Sequence, residues 1–338
     1  MERSPTAHSL LSQARARVAS GAWGDVRALL ASREAEVRLQ PELIALLGEA
    51  YLRTHAPREA CDWLDRADPE LRRAGDRIAL RKAVNLAGVA RFELGELDDA
   101  ERAFHGAFTL GRLDGDDLLL ARAINNLGLI ANVRGRHAEA LALYRMALPS
   151  YQRLGQPRGI AETYHNLAIT FRDIADLERA TDCERRAIEF ARQASDDRLV
   201  AMAETGLAEL QLLEGDSALA EARARHGARS FERIDDAQGE ANALRIAGLA
   251  AARLDKYDVA GEALDRAVTL ASERGYALVE GECRHARAQL ALARGDMAGA
   301  RTDANAALEI FERLGSSSEA WAIRQWIATK LDVDRRKE

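Results

Sequence analysis

Apolar residues recur along this chain at intervals of three and four positions, the spacing of one face of an α-helix. Residues 127–148 show two such stripes, formed by Leu127, Ile130 and Val133 and then by Ala140, Leu143, Tyr144, Ala147 and Leu148. Gly135 lies between the stripes, and glycine supplies the left-handed conformation that commonly ends a helix. The pattern therefore predicts two amphipathic helices joined by a tight turn.

This helix pair repeats with a fixed period of about 40 residues, within the range that repeat proteins show. Small residues mark the period, first at Gly48, Gly88, Gly128, Ala168, Ala208, Gly248 and Ala288, and again at Ala60, Ala100, Ala140, Ala180, Ala220, Ala260 and Ala300. Because the register never slips over seven copies, the chain is predicted to stack one structural unit many times. Function in such a stack is carried by its surface, since each unit contacts mainly its neighbours.

The predicted fold class is all-α, an α-solenoid of about eight antiparallel helix pairs with a C-terminal capping helix, in a single solenoid over residues 1–333. The pairs are expected at about residues 7–37, 40–75, 77–115, 117–155, 157–195, 197–235, 237–275 and 277–315. The capping helix is expected at 318–333, where its amphipathic face would cover the apolar end of the stack, and 334–338 as a frayed tail. Asp76, Asp116 and Ser316 are candidate N-caps.

The repeated positions resemble the tetratricopeptide repeat (TPR). The resemblance rests on Leu127, Gly128, Gly135, Ala140, Tyr144 and Ala147, and in the preceding unit on Leu86, Gly88, Gly95, Ala100, Phe104 and Ala107. The period is longer than the one usual in that family, which is about 34 residues. It is similar to the longer-helix variant of kinesin light chains, of adaptors with Leu-Gly-Asn repeats and of bacterial peptide-sensing regulators. HEAT and armadillo arrays have comparable periods, but they do not require this order of Gly, Ala and Ala.

Composition and charge limit the classes of partner that this protein is expected to bind. The 338 residues include 48 basic and 54 acidic side chains, interleaved, so no basic stripe predicts nucleic acid as a partner. No apolar run reaches the length of about 18 residues that a membrane-spanning helix needs. Cys61, Cys183 and Cys283 lack the CxxC spacing of a zinc site and favour a reducing compartment. We therefore expect a cytoplasmic protein with no metal, no cofactor and no membrane partner.

Catalytic motifs are missing from the sequence. There is no GxxxxGK[ST], GxSxG, HExxH or GxGxxG, and the even spacing leaves no room for an inserted catalytic loop. Acidic clusters such as Asp114, Asp116 and Asp117 fall at helix ends, where capping and solubility explain them. No catalytic residue is expected, and a hydrolase or transferase is the weakest of the functional hypotheses.

The TPR resemblance implies that the first helix of each pair lines a concave groove of a right-handed superhelix. Mapping that face gives the candidate binding residues Lys82, Asn85, Phe92, Arg122, Asn125, Asn132, His165 and Arg172, and a more apolar stretch at Leu212, Leu249 and Leu292. Side-chain amides both donate and accept hydrogen bonds, so they suit the backbone of an extended peptide, and the cations suit a carboxylate. The competing interpretation is that these residues form a solvated or packing face.

The predicted function is a non-enzymatic scaffold or adaptor that binds a protein or an extended peptide in the groove, with an acidic residue or a free carboxylate as one form of ligand. The alternative is an effector- or peptide-sensing regulatory protein whose output module is on another chain. The sequence determines neither the identity of the partner nor the oligomeric state.

Overall fold

A computed structural model describes residues 5–331, with side chains from residue 10 onward. Within that range 86% of residues are helical and none lies in a strand, which confirms the all-α solenoid. The predicted tail, 334–338, and the last two residues of the predicted capping helix, 332 and 333, lie outside the described residues.

The chain forms two compact units, residues 1–123 and 124–338. Unit 1 contains α1 Pro5–Ala19, α2 Trp23–Ala31, α3 Glu34–Val37, α4 Pro41–Arg53, α5 Pro57–Ala74, α6 Arg77–Glu93 and α7 Leu97–Asp114. The next helix, α8 Asp117–Val133, begins in unit 1 and ends in unit 2. Over residues 7–37, where the sequence predicts one helix pair, the chain therefore has α1, α2 and the single-turn α3.

Unit 2 continues with α9 His137–Arg153, α10 Pro157–Asp173, α11 Leu177–Gln193, α12 Asp197–Glu214, α13 Ser217–Arg233, α14 Ala237–Arg253, α15 Tyr257–Arg274, α16 Ala277–Ala293, α17 Met297–Leu314 and α18 Ser317–Lys330. Each helix packs against the next, and the first helices of successive pairs also contact one another, as α10 contacts α12 and α12 contacts α14. This layered packing of successive pairs is that of an α-solenoid. That the two units form a single solenoid remains a prediction.

The two helices of a pair meet where a glycine of the first helix receives a large side chain of the second. A Cβ built on Gly88 would lie 2.5 Å from the Phe104 ring, and one on Gly128 would lie 2.7 Å from the Tyr144 ring. Both rings are fully buried. Any side chain at these glycines must therefore displace a ring from the core, which lowers the free energy of unfolding.

A second contact joins each pair to the next, and there the large and small partners exchange places. A Cβ on Gly159 would lie 2.4 Å from the Tyr151 ring, and one on Gly239 would lie 2.4 Å from the Phe231 ring. In the corresponding contact of unit 1 the glycine comes first, because Gly111 packs against the backbone of Leu120. On whichever helix the glycine lies, it allows the close approach that dense packing of the interior requires.

Every turn from residue 55 to residue 315 contains one residue with positive φ, and these residues follow one another at a constant interval. They are His55, Gly75, Gly95, Gly115, Gly135, Gly155, Ala175, Ser195, Gly215, Asp235, Asp255, Gly275, Gly295 and Gly315. The left-handed conformation costs a residue with a Cβ about 1–2 kcal/mol, so the five positions without glycine are strained. Uniform turns keep the helices of a unit at similar length and in the same register.

Acidic side chains cap several first helices, as predicted for Asp76 and Asp116. Their carboxylates accept hydrogen bonds of 3.0 Å from the backbone N–H groups of Ala79 and Leu119. Ser316 also occupies an N-cap position, but its side chain makes no capping hydrogen bond. Its hydroxyl instead donates to the carbonyl of Val133, at 3.3 Å.

We expect Gly128→Ala to lower the free energy of unfolding by about 1–2 kcal/mol, because the methyl group overlaps the buried Tyr144 ring while helix propensity offsets part of the loss. The matched control is Gly106→Ala in α7, whose added methyl would meet only Val84 at an ordinary 3.5 Å. That variant should be unchanged or more stable. Equal denaturation midpoints for the two variants would contradict the packing role of Gly128.

We expect Ala175→Gly to raise the free energy of unfolding by about 1 kcal/mol, because Ala175 has φ of 63° and glycine relieves that strain. Ala142, an exposed residue in the middle of α9, provides the control. Ala142→Gly should lower stability by a similar amount through lost helix propensity. Chemical denaturation of both variants measures the two opposite shifts.

Candidate functional site

A row of alternating charges links the first helices of four successive pairs in unit 2. We call Arg172, Glu209, Arg245 and Glu282 the charged row. Arg172 and Arg245 both donate to the Glu209 carboxylate, Arg245 at 2.8 Å, and Arg245 Nε lies 3.3 Å from Glu282. Arg172 also donates to Asp173, at 2.8 Å. The row therefore fixes each of these helices to the next by charge.

The guanidinium groups determine the ionisation of Glu209. Burial acts to raise the pKa of this carboxyl, but Arg172 and Arg245 outweigh burial and bring the pKa to about 2. At Glu282 burial dominates, and its pKa is raised despite the opposing effect of Arg245. The predicted binding residue Arg172 is 24% exposed and already bound to two carboxylates, Asp173 and Glu209, so its charge is compensated within the protein.

The two predicted asparagines of unit 2 also form hydrogen bonds within the protein. Asn132 donates to the Asp173 carboxylate at 2.9 Å, and its carbonyl oxygen lies 3.1 Å from His137 Nδ1. Asn125 accepts a hydrogen bond of 3.1 Å from the Thr163 hydroxyl. Both asparagines are buried. A peptide that used these amides would have to displace their present partners.

His165 belongs to a buried pair with Glu184. Its Nδ1 lies 3.0 Å from both carboxylate oxygens, and the Glu184 side chain is only 2% exposed. Burial raises the pKa of Glu184, and His165 opposes that rise. A Cβ on Gly206 would lie 2.0 Å from the carboxylate, so this glycine makes room for the pair. The His165 side chain thus serves the contact between helices.

The predicted apolar stretch lies mostly within the packing of unit 2. Leu212 is 3% exposed and belongs to the core between α12 and α14. Leu249 and Leu292 are half-buried and pack against core residues. These leucines expose little apolar surface to a ligand.

In unit 1 two predicted cations, Lys82 and Arg122, line a cavity of about 470 Å³. The cavity lies among α1, α4, α6 and the start of α8, and Leu46, Leu86 and Leu119 are among its apolar walls. Of the other two predicted residues of this unit, Asn85 is buried and Phe92 half-buried, and neither lines the cavity. The cavity provides apolar surface with charge at its rim.

Most rim charges already have partners. Lys82 Nζ lies 2.5 Å from the carboxylate of Glu49, a residue only 3% exposed, and Arg15 pairs with Glu42 at 3.1 Å. Arg81 pairs with Asp114 at 3.0 Å and also contacts Asp116. Arg122 is exposed and forms no ion pair with any residue that the structure describes. It is therefore the rim cation best able to bind an external carboxylate.

Several of these residues are not among the predicted ones. Arg245 occupies the repeat position of His165 and His285, so the register of the repeat could have found it. Glu49, Glu209 and Glu282 are not among the predicted residues, because a groove for an acidic peptide calls for amides and cations. The signal for the charged row is the recurrence of opposite charges 36 or 37 residues apart.

The described residues show no metal or membrane element. No three His, Cys, Asp or Glu side chains in that part of the chain form a metal-binding group. No helix there is long and apolar enough to cross a membrane. Burial raises the pKa of the Cys61 and Cys283 thiols to about 12, so neither forms a thiolate readily.

The packing of helix pairs and the face formed by their first helices define a TPR-type α-solenoid. The model of the tetratricopeptide repeat family matches residues 78–153 and 119–193. The part of the chain that this model matches thus consists of tetratricopeptide repeats, as the sequence predicts.

Solved structures share this fold at low sequence identity. A Rap protein complexed with Competence and Sporulation Factor is 16% identical, with 98% of this chain and 99% of that chain covered and a TM-score of 0.63. NprR in complex with its cognate peptide NprX is 14% identical, with both chains fully covered and a TM-score of 0.63. The Cut9–Hcn1 hetero-tetramer of APC/C is 15% identical, with 93% and 55% covered and a TM-score of 0.59. A search of curated proteins found no match.

We expect Arg245→Met to lower the free energy of unfolding by about 3–5 kcal/mol, because it removes one partner from a buried ion pair. The Arg245 side chain is 10% exposed. Arg266 is the control, since it also contacts two carboxylates but is 54% exposed. Arg266→Met should cost at most about 1 kcal/mol. Equal losses would show that the charged row contributes no more than a surface ion pair.

Proposed function

We propose that this chain is a non-enzymatic binding protein that holds an extended peptide, or an extended segment of a partner protein, in the cavity of unit 1. The observation that carries the proposal is the combination of an apolar cavity of about 470 Å³ with Arg122 exposed at its rim. Ligand sites combine apolar walls with few well-placed polar groups.

The cavity also favours a particular ligand chemistry. Leu46 and Leu86 supply contact for an apolar side chain, and Arg122 supplies a planar guanidinium that binds carboxylates through two N–H groups. Lys82 is held by Glu49, so it assists only after exchanging that partner. An acidic residue or a free carboxylate next to an apolar side chain is therefore the proposed recognition element.

The charged row is not proposed as an acidic-peptide site. Its two arginines already share Glu209, and Glu282 and Asp173 add further negative charge. A carboxylate arriving there would meet repulsion as well as attraction. Of the three cations that the sequence suggests for binding a carboxylate, Lys82, Arg122 and Arg172, we therefore propose Arg122.

The fold neighbours support a peptide ligand, since two of them were solved with a bound factor or peptide. We propose that the protein acts in the cytoplasm, because its three cysteines lack the spacing of a disulfide or zinc framework. Interleaved charges argue against nucleic acid as the partner. Neither a cofactor nor catalysis forms part of the proposed function.

A second candidate function is a peptide- or effector-sensing regulator whose output module is on another chain. One observation favours it, the contact of Ser316 and Ser317 with the end of α8, which joins distant parts of unit 2 by two hydrogen bonds. Side-chain hydrogen bonds of this kind can break without unpacking the core, as a ligand-driven opening would require. A scaffold does not need such an opening.

The test is selection from a displayed library of peptides with free carboxyl termini, followed by affinity measurement with synthetic peptides. We expect selected peptides to combine an apolar residue with a carboxylate. Arg122→Glu should weaken binding about tenfold or more, equivalent to about 1.4 kcal/mol, and binding should weaken as salt rises. Arg112→Glu is the control, because Arg112 is exposed and does not line the cavity.

Peptides that bind both variants equally would refute the cavity as the site. Selected peptides that are all basic would refute the proposed recognition element while leaving peptide binding intact. Circular dichroism of both variants should match the wild type, since both arginines are exposed.

A further inference from the structure

Two ends of unit 2 that are far apart in sequence touch each other. The Ser316 hydroxyl donates to the Val133 carbonyl at 3.3 Å, and the Ser317 hydroxyl donates to the Arg134 carbonyl at 3.4 Å, each across 183 residues. A Cβ on Gly135 would lie 3.3 Å from the Ser318 Cβ, so the backbones approach closely.

The contact joins complementary helix ends. The last carbonyls of α8 have no partner within their own helix, and the hydroxyls at the start of α18 satisfy two of them. The positive end of the α18 dipole also faces the negative end of the α8 dipole. The contact thus adds hydrogen bonding to favourable electrostatics.

Because its hydroxyl makes this contact, Ser316 does not cap α18. Asp196 and Asp236 hold the same repeat position, and each caps its helix by accepting a hydrogen bond from a backbone N–H. Ser316 makes no such capping bond. A side-chain cap is worth about 1 kcal/mol, so diverting the hydroxyl to Val133 leaves the contact with little net advantage. Its closed and open forms should therefore be close in free energy.

The charged side chains that interact with Glu319 near this contact include more carboxylates than guanidinium groups. Glu319, in the first turn of α18, interacts unfavourably with Glu282 on α16 and Asp173 on α10, and favourably with Arg172. Its Oε2 atom is buried and has no hydrogen-bond partner within the described part of the chain. Nearby, Arg134 belongs to the turn that accepts the serine hydroxyls, and Glu312 of α17 pairs with Arg324 of α18. Ionised Glu319 is therefore disfavoured at this contact by burial and by the carboxylates of Glu282 and Asp173.

We propose that the contact between the start of α18 and the end of α8 is a reversible latch, which closes unit 2 beside the charged row, and that the charge on Glu319 controls its opening. The latch concerns unit 2 alone and does not depend on peptide binding in unit 1.

The direction of the pH effect follows from the carboxyl group. Burial, with further contributions from Glu282 and Asp173, raises the pKa of Glu319 from 4.5 to about 7, and Arg172 opposes the rise. The closed form therefore holds this proton more tightly than an open form in which Glu319 is solvated. The ratio of open to closed molecules should rise with pH between about 4.5 and 7, by at most about tenfold per pH unit, and level off above 7.

Spin labels at Ala138→Cys and Ala322→Cys test the latch, in the full chain with Cys183→Ala to remove the most accessible native thiol. Both label positions are exposed and flank the contact from α9 and α18. Double electron–electron resonance should give a mainly short distance at pH 5.5, and a longer population that grows up to about pH 7 and stays constant to pH 8. A distance distribution that is the same at both pH values would overturn the proposal.

Two variants assign the effect to named residues. Glu319→Gln should keep the short distance at every pH, whereas the control Glu312→Gln should respond to pH as the wild type does. Ser317→Ala should increase the long population about fivefold at pH 5.5, because it removes the hydrogen bond to the Arg134 carbonyl, worth about 1 kcal/mol, from a residue that is not the N-cap of α18. Unchanged distances in Ser317→Ala, or a surviving pH response in Glu319→Gln, would refute the latch as proposed. Circular dichroism confirms that each variant is folded.

Discussion

The close approach of the two helices in each pair is the constraint on which the rest of the structure depends. It requires a small residue on the first helix, and where that residue is glycine a large one lies at the facing position of the second helix, as at Gly88 and Phe104 or Gly248 and Leu264. Because a small residue stands at this position in every repeat, the first helices lie beside one another at a constant interval. Side chains 37 to 41 residues apart then become neighbours, which is how Arg172 reaches Glu209 and Asn132 reaches Asp173.

One pair has a carboxylate at the facing position, and this explains a residue that seemed functional. Ala168 and Glu184 occupy the positions of the glycine and the large residue. A carboxylate in place of a ring would be left buried without a partner, at considerable cost. His165 supplies that partner, and Gly206 on the next pair leaves space for it. The role of His165 is therefore structural: in this pair of helices a hydrogen bond between two side chains replaces apolar packing.

Sequence reasoning predicted the fold because its signals are local and repeated. Gly128 and the caps Asp76 and Asp116 act within one pair, so the period alone assigns them. It could not predict that Arg172 is already bound, because that depends on the choice of Glu209 one unit away, at a position occupied elsewhere by Leu129, Ile169 or Leu249. Nor could the pattern show that the Ser316 hydroxyl does not cap its own helix and instead donates to the Val133 carbonyl, 183 residues away. Residues were correctly placed on the first helices, but the partners of each came only from the packing.

Repetition also separates residues that must be kept from those free to vary. The small and large residues at the contact positions determine the scaffold. The repeat position of Arg122, in contrast, is occupied in the following pairs by Glu162, Met202, Asn242 and Glu282. Some charged residues at this repeat position pair with an opposite charge on a neighbouring helix pair, as Glu282 pairs with Arg245. Such ion pairs fix the relative positions of the helices and so have a structural role. Arg122 finds no such partner among the described residues, although it stands at the rim of an apolar cavity. An exposed charge without an ion pair contributes little to folding, so the scaffold does not fix the residue at position 122, and the role proposed for Arg122 is the binding of a ligand.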